Sequence, residues 1–518
     1  MIAKIHSQAV LGIDPYAVMV EADVIRSNAI EKSVFTIVGL PDAAVRESRE
    51  RVRSAMRNSS FYLGNTLITI NLAPADVKKE GAFFDLPIAL AILAASDHLQ
   101  SMRLNDYTVV GELSLEGVVK PIPGVLPLAV GAREQGFRGI LVPRKNAEEA
   151  ALVDGIEVIG VESLQEAAAF LSGKVELPPV QLDREALLRR VWQDAEDFQE
   201  VRGQELAKRA MEVAAAGGHN ILMIGTPGSG KTMLAKRLPT ILPAMTFQEI
   251  IEVTKIHSIA GELKGRPLVG VRPFRSPHHT ISNIALIGGG SVPRPGEVSL
   301  AHCGVLFLDE LPEFERDVLE VLRQPLEDGV VHIARASMSL TFPARFTLCA
   351  ALNSCPCGYY GHPTIPCRCQ AHAIQRYRAR ISGPLLDRID LHVEVPAVPI
   401  EELKKRRSGD PSAVIRERVN AARKRQLDRF ASHTGRHRIF CNAQMTSKMI
   451  GQYCILEPDA QTMLERTIES YGFSARTYER LRKVARTIAD LAASETIRGE
   501  HIAEAVQYRT LDRKFWET

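Results

Sequence analysis

Eight consecutive residues, Gly225, Thr226, Pro227, Gly228, Ser229, Gly230, Lys231 and Thr232, follow the spacing G-x-x-x-x-G-K-T, which suits the holding of a polyphosphate. Glycines let backbone N–H groups turn inward toward phosphate oxygens, and a helix starting at the lysine presents its positive dipole end to the same oxygens. Lys231 is placed to reach the β- and γ-phosphates. The Thr232 hydroxyl is placed to hold Mg2+, an ion that keeps an octahedral oxygen shell with few protein ligands. The other half of such a site is an acid pair at the end of an apolar strand, and the run 304–308 leads into Asp309 and Glu310. Asp309 is expected to orient Mg2+ through water, and Glu310 to polarise the attacking water as general base. Together the two motifs predict hydrolysis of ATP with Mg2+ as cofactor.

A third apolar run, 346–352, ends at Asn353, placed to hold the hydrolytic water opposite Glu310. The stretch 383–390 then supplies Arg388 beside Asp387. If copies of the chain form a ring, Arg388 can reach a neighbour's γ-phosphate and stabilise charge in the transition state; the alternative is a surface ion pair with Asp387. Of eight cysteines, Cys355, Cys357, Cys367 and Cys369 stand together as two C-x-C pairs. Four thiolates satisfy tetrahedral Zn2+ at about 2.3 Å each, with reduced thiols or another soft metal as the alternatives. His362 and His372 are reserve ligands. A zinc here would clamp a Gly- and Pro-rich loop between Asn353 and the Arg388 segment.

A phosphate loop needs a strand before it and a helix after it. Residues 220–224 are an apolar strand candidate and 233–238 are helical in pattern. The runs 220–224, 304–308 and 346–350 alternate with helical or loop segments, which predicts a parallel sheet with crossover helices over residues 198–395. Residues 1–173 alternate short β-rich runs such as 34–38 and 67–72 with helical stretches such as 43–57, and form a separate α/β domain. Residues 174–197, with Leu177, Pro178 and Pro179, lose periodicity and read as a linker. Residues 396–518 read as successive helices, with Leu464, Ile468, Leu481, Val484, Ala485, Ile488 and Leu491 at three- and four-residue spacing. The fold class is α/β with a helical C-terminal domain.

Composition agrees. A chain of 518 residues has room for about three domains, and 45% apolar, 24% charged and 6% aromatic residues exclude a collagen-like, coiled-coil or mostly disordered chain. With 64 basic and 61 acidic side chains the net charge is +3, which neither demands nor excludes a nucleic-acid partner. Basic charge is local: residues 401–440 carry twelve Lys/Arg against five acids, either a solvated helix face or an anion-binding surface. The N-terminus has no basic segment feeding an apolar one, and the stretch 86–96 is too short to span a bilayer. These features predict a soluble cytoplasmic protein with no membrane partner, where clustered cysteines favour metal over disulfides.

The P-loop, the acid pair, Asn353, Arg388 and the step Ser474, Ala475, Arg476 together resemble the AAA+ ATPases, specifically their magnesium-chelatase-like branch. The resemblance covers residues 198–513. It implies that Asn353 is sensor 1, Arg388 an arginine finger and Arg476 a sensor-2 arginine in a helical lid. The segments 273–282 and 288–296, with His278, His279 and Arg294, look like the helix-2 insert of this branch. Residues 330–342, around Arg335 and Ser337, resemble the hairpin that helicases of the clade point into their pore. Arg294 and Arg335 then become DNA contacts, with a surface salt bridge as the alternative for each; His278 and His279 read as structural. The whole-chain layout is similar to the ComM (YifB-like) family. That likeness implies a hexameric, ATP-driven helicase that acts on single-stranded or branched DNA and drives branch migration as transforming DNA is integrated by homologous recombination. A competing reading is a chelatase-like or chaperone-like remodeller of a protein partner.

Residues 78–84 and 111–124 are similar to the proteolytic domain of Lon. That chemistry needs a serine activated by a lysine. Phe83 stands where Lon carries the serine, and Val125, Leu126, Pro127 and Leu128 after Gly124 leave the lysine missing as well. The resemblance implies a Lon-like fold without peptidase chemistry, used for assembly or partner binding.

Overall fold

The structure is a computed structural model that describes residues 2–26, 34–100, 102–183, 196–290, 293–335, 338–362, 364–399, 402, 409–431 and 439–511. Two compact units divide the chain: Met1–Arg190 with Ile250–Gly270, and Val191–Glu249 with Val271–Thr518. Their first boundary falls inside the predicted linker 174–197. Residues 250–270, expected within the segment 198–395, instead belong to the first unit. Within that unit, the Ser258 hydroxyl donates to the buried Glu149 carboxylate at 2.5 Å, and the Gly124 N–H donates to the Ser258 carbonyl at 3.2 Å. Such an excursion leaves no mark in hydrophobic periodicity, because it is made by tertiary partners far away in the chain.

The first unit is built on a seven-stranded mixed sheet. Its order is Val34–Val38, Thr66–Ala73, Asp14–Arg26, Ile2–Leu11, Tyr107–Val109, Gly139–Pro143, Glu157–Val161. Ile2–Leu11, Asp14–Arg26 and Thr66–Ala73 pair antiparallel, and the remaining neighbours pair parallel. The apolar stretch read from the sequence is the helix Asp85–Ala95, buried at every position, as expected of a helix without a polar face. Its first residue, Asp85, is held by Arg51 through Nε at 2.7 Å and Nη2 at 3.1 Å, and by the Leu113 N–H at 3.2 Å. A buried carboxylate requires such partners. Phe83, at the position of the missing nucleophile, packs its ring against Phe84 at 4.5 Å. Lys79, fully buried, donates to the Val77 carbonyl at 2.7 Å.

The second unit has a five-stranded parallel sheet in the order Phe274–Arg275, Val305–Leu308, Thr347–Leu352, Ile221–Ile224, Leu391–Glu394. Ile221–Ile224, Val305–Leu308 and Thr347–Leu352 are buried throughout, which explains why the sequence shows continuous apolar runs rather than alternation. Two ribbons leave the sheet: Gly288–Gly289 with Arg294–Pro295, and Val330–Arg335 with Met338–Pro343. Helices Ser412–Phe430, Ser447–Tyr453, Pro458–Tyr471, Ala475–Leu491 and Gly499–Gln507 follow. Leu464, Leu481, Val484, Ala485 and Ile488 lie in the core, with Ile468 and Leu491 packed against it, as their spacing predicts. No helix among the described residues is long and apolar enough to cross a membrane.

Much of the described part of the basic stretch 401–440 neither faces solvent freely nor forms an open anion surface. Arg418 pairs with Glu212 at 2.6 Å and Asp410 at 2.8 Å, Arg423 donates to the Ala215 and Ala216 carbonyls, and Arg429 pairs with Asp490. These arginines tie the helix Ser412–Phe430 to its surroundings. Lys404, Lys405, Arg406, Arg407, Arg436 and Arg438 lie outside the described residues.

A second polar cluster joins the end of the sheet to the helix Ala475–Leu491. His219 bridges Asp390 at 3.2 Å and the Thr487 hydroxyl at 2.8 Å, and Arg480 reaches Asp390 at 3.2 Å. Burial alone would raise the Asp390 carboxyl, but the His219 hydrogen bond and the charges of Arg480, His219 and Lys483 outweigh it and hold the group well below its ordinary 3.8. A depressed carboxylate contributes stability in full above its ordinary value and loses it as pH falls below. Asp390→Asn is expected to cost about 3 kcal/mol at neutral pH, and the deficit should shrink below about pH 4. Urea unfolding followed by circular dichroism at pH 7 and pH 3 checks this, and a deficit equal at both values excludes the linkage.

Candidate active site

The P-loop follows the strand Ile221–Ile224 at the carboxyl end of the parallel sheet, where such sheets bind ligands. Gly225 is required by crowding: a Cβ there would lie 2.2 Å from the Val395 carbonyl oxygen. Gly228 and Gly230 adopt φ of +74° and +89°, a left-handed path open to glycine. Gly230 caps the helix Lys231–Ile241, so free N–H groups and the positive helix end face the loop. Thr226 Oγ1 and Ser229 Oγ are buried with no hydrogen-bond partner among the described residues.

Lys231 is 7% exposed and donates to the Gly225 and Thr226 carbonyls, each at 2.9 Å, and to Asn353 Oδ1 at 3.2 Å. Burial pushes its ammonium pKa down, against the pull of the Asp309 and Glu310 carboxylates. Thr232 Oγ1 donates to Asp309 Oδ2 at 2.6 Å, and the Glu310 N–H donates to Asp309 Oδ1 at 3.0 Å. Two hard oxygen ligands in contact, beside a helix N-terminus and a lysine, fit a magnesium–triphosphate pair. Glu310 takes φ of +52°, and its side chain is 55% exposed, with Oε2 3.7 Å from His279 Nδ1. The His278 and His279 rings stand 4.1 Å apart.

The structure thus brings together Gly225, Thr226, Pro227, Gly228, Ser229, Gly230, Lys231, Thr232, Asp309, Glu310 and Asn353. It places the arginines elsewhere. Arg388 is 7% exposed, donates to the Pro384 carbonyl at 2.6 Å, and pairs with Glu327 rather than with the adjacent Asp387. Arg476 is exposed on the first turn of Ala475–Leu491, whose start is capped by Ser474. Arg294 is exposed on its short ribbon. Arg335 ends the strand Val330–Arg335; its side chain, and Ser337, fall outside the described residues. Sequence reasoning missed Tyr377, whose hydroxyl meets the Asn353 backbone and is pushed up to about 12 by burial and by the charges of Glu313 and Glu310. Nothing in its local sequence signals that placement. His279, read as structural, stands next to the acid pair; its place between the two motifs was the available hint.

The four clustered cysteines also converge. Sγ of Cys355 lies 3.4 Å from Cys357 and 3.7 Å from Cys367, Cys357 and Cys367 are 3.6 Å apart, and all four sulfurs fall within 4.8 Å of one another. Bonds of about 2.3 Å to a tetrahedral ion put sulfurs about 3.8 Å apart, so the set fits a thiophilic metal. Burial pushes the Cys355 thiol up to about 12, while N–H groups of Tyr359 and Arg368 bring Cys357 down to about 6; metal binding would release the Cys355 proton. His362 and His372 stand outside the four-sulfur group, and His362 Nδ1 accepts the N–H groups of Thr364 and Ile365 in its own turn.

The family matches place this parallel sheet, with a P-loop after its fourth strand in space and an acid pair on a nearby strand, in the magnesium-chelatase class of AAA+ proteins. Residues 197–403 match the family magnesium chelatase, subunit ChlI; residues 20–146 match subunit ChlI of Mg-chelatase; and residues 409–509 match its C-terminal part. Within that class the chain belongs to the family of YifB and ComM. It is 45% identical over 514 residues to the YifB protein of Escherichia coli, covering 98% of this chain and 97% of that protein. It is 43% identical over 514 residues to the competence protein ComM of Haemophilus influenzae, covering 99% and 98%. A shorter match, 32% identical over 121 residues, is to Lon protease 2 of Bacillus subtilis, covering 23% of this chain and 21% of that one.

Proposed function

We propose that the protein is a cytoplasmic, ring-forming, ATP-driven DNA helicase, a homo-hexamer that moves on single-stranded or branched DNA and drives branch migration as transforming DNA is integrated by homologous recombination. The observation that carries this reading is the convergence of Lys231, Thr232, Asp309, Glu310 and Asn353 at one end of the parallel sheet, in a chain alike over its whole length to a competence protein.

In this reading Lys231 and the N–H groups of Gly228, Gly230, Lys231 and Thr232 hold the β- and γ-phosphates, and Thr232 and Asp309 hold Mg2+. Bound Mg2+ neutralises charge that develops on the phosphate oxygens. Glu310 accepts the proton of the attacking water at its carboxylate, and Asn353 orients that water. Arg388 stabilises the γ-phosphate of a neighbouring copy, and Arg476 reports nucleotide from the helical domain. Arg294 and Arg335 contact the DNA backbone. Cys355, Cys357, Cys367 and Cys369 hold a structural Zn2+.

ATP turnover should rise when single-stranded or forked DNA is added, and the rise should fade steeply as salt increases, because phosphate contacts release counterions. A response flat in DNA would instead favour a chelatase-like or chaperone-like remodeller of a protein partner.

A further inference from the structure

The cysteine loop touches the phosphate loop. Between Cys355 and Cys369 the described chain holds only two buried residues, Cys355 and Gly358, so it has no apolar core of its own. Its anchors are polar: the Tyr360 N–H meets Cys355 Sγ at 3.3 Å, and Arg378 donates to the Ser354 carbonyl at 3.3 Å while stacking over the Tyr360 ring at 5.3 Å. A loop this exposed keeps one shape only when something cross-links it, and four converging sulfurs are the means at hand. Gly358, at the buried point of the loop, has φ of +83°, and a Cβ built there would lie 2.4 Å from both Cδ and Cγ of Pro227. Pro227 is the third residue of the P-loop. The sulfur cluster therefore adjoins this contact on one side, through Cys357 next to Gly358 in the chain, and the phosphate-binding backbone lies immediately on the other.

We infer that a soft metal held by Cys355, Cys357, Cys367 and Cys369 sets the shape of the P-loop through the contact between Gly358 and Pro227, so that nucleotide affinity depends on the loaded knuckle. This deepens the reading of 225–232 as the nucleotide site and rests on it. Phosphate is bound by several N–H groups at once, and each weakens steeply when its angle or distance drifts. Loss of the wall behind Pro227 lets all of them drift together.

The test uses the full chain purified without chelator. Metal per chain is measured by elemental analysis, and the Kd for a fluorescent ATP analogue is measured with Mg2+ present. Zinc is then removed with a chelator, Mg2+ is restored, and the Kd is measured again. We expect binding weaker by about tenfold or more, a change of about 1.4 kcal/mol, reversed by adding Zn2+. Gly358→Ala should reproduce the loss with metal content unchanged. Gly361→Ala is the control: Gly361 has nearly the same backbone, φ of +80°, but nothing lies within 4 Å of its Cβ position, so nucleotide binding should persist.

An unchanged Kd after zinc removal overturns the inference, as does equal weakening by both glycine variants. Protein that carries metal yet binds no nucleotide in any state rejects the nucleotide site itself. Protein that binds nucleotide tightly but carries no metal rejects the metal site and the inference with it.

Discussion

Arg388→Ala should lower ATP turnover by about 10³- to 10⁵-fold, the range that an arginine acting on a transferring phosphoryl group commands, while leaving nucleotide binding by each copy intact. The guanidinium is held by Glu327 and the Pro384 carbonyl, and for it to act in trans these partners must release it. The Glu327 side chain is 55% exposed, so water can take over its charge at small cost. A purely structural Arg388 predicts something different: lost stability with turnover reduced only as far as unfolding reduces it. Mixing separates the two. In the proposed ring, mixing Arg388→Ala and Lys231→Ala copies creates interfaces in which an intact P-loop meets an intact arginine, and the mixture should regain part of the native turnover. A mixture no more active than either variant alone would exclude action of Arg388 on a neighbouring copy's nucleotide.

Glu310→Gln should reduce turnover by about 10²- to 10⁴-fold, the usual worth of a positioned general base, with nucleotide Kd unchanged and strand displacement abolished. Glutamine keeps the shape of the side chain and its contacts near His279 but cannot take a proton from water. Asp309 is the contrasting partner: bound to the Thr232 hydroxyl at 2.6 Å, it belongs to ion binding, so its loss should show first in nucleotide affinity. Unwinding that survives in Glu310→Gln would remove Glu310 from the chemistry and detach movement from hydrolysis.

What could be read in advance was local. The P-loop announces itself because a strand, a glycine turn and a lysine-led helix are contiguous, and the acid pair because it terminates a fully buried strand. The helical spacing of Leu464, Leu481, Val484 and Ile488 likewise matches their burial. What stayed hidden was made by distance along the chain. The Glu327 carboxylate that holds Arg388, the Asn353 backbone above Tyr377, and the press of Gly358 on Pro227 join residues whose neighbours in sequence give no hint of the meeting. The basic stretch misled for a related reason: charge counts do not reveal whether an arginine has a carboxylate waiting, as Arg418 and Arg429 do.

The detour of residues 250–270 fixes an order of events at the ribosome. When the first 190 residues have emerged, the unit they belong to still lacks a piece, and Glu149 has no Ser258 to donate to its carboxylate. That piece is translated only after the P-loop and its helix. Although nascent domains commonly mature in sequence from the amino end, here the leading unit cannot be finished before the opening stretch of the trailing one has left the exit tunnel.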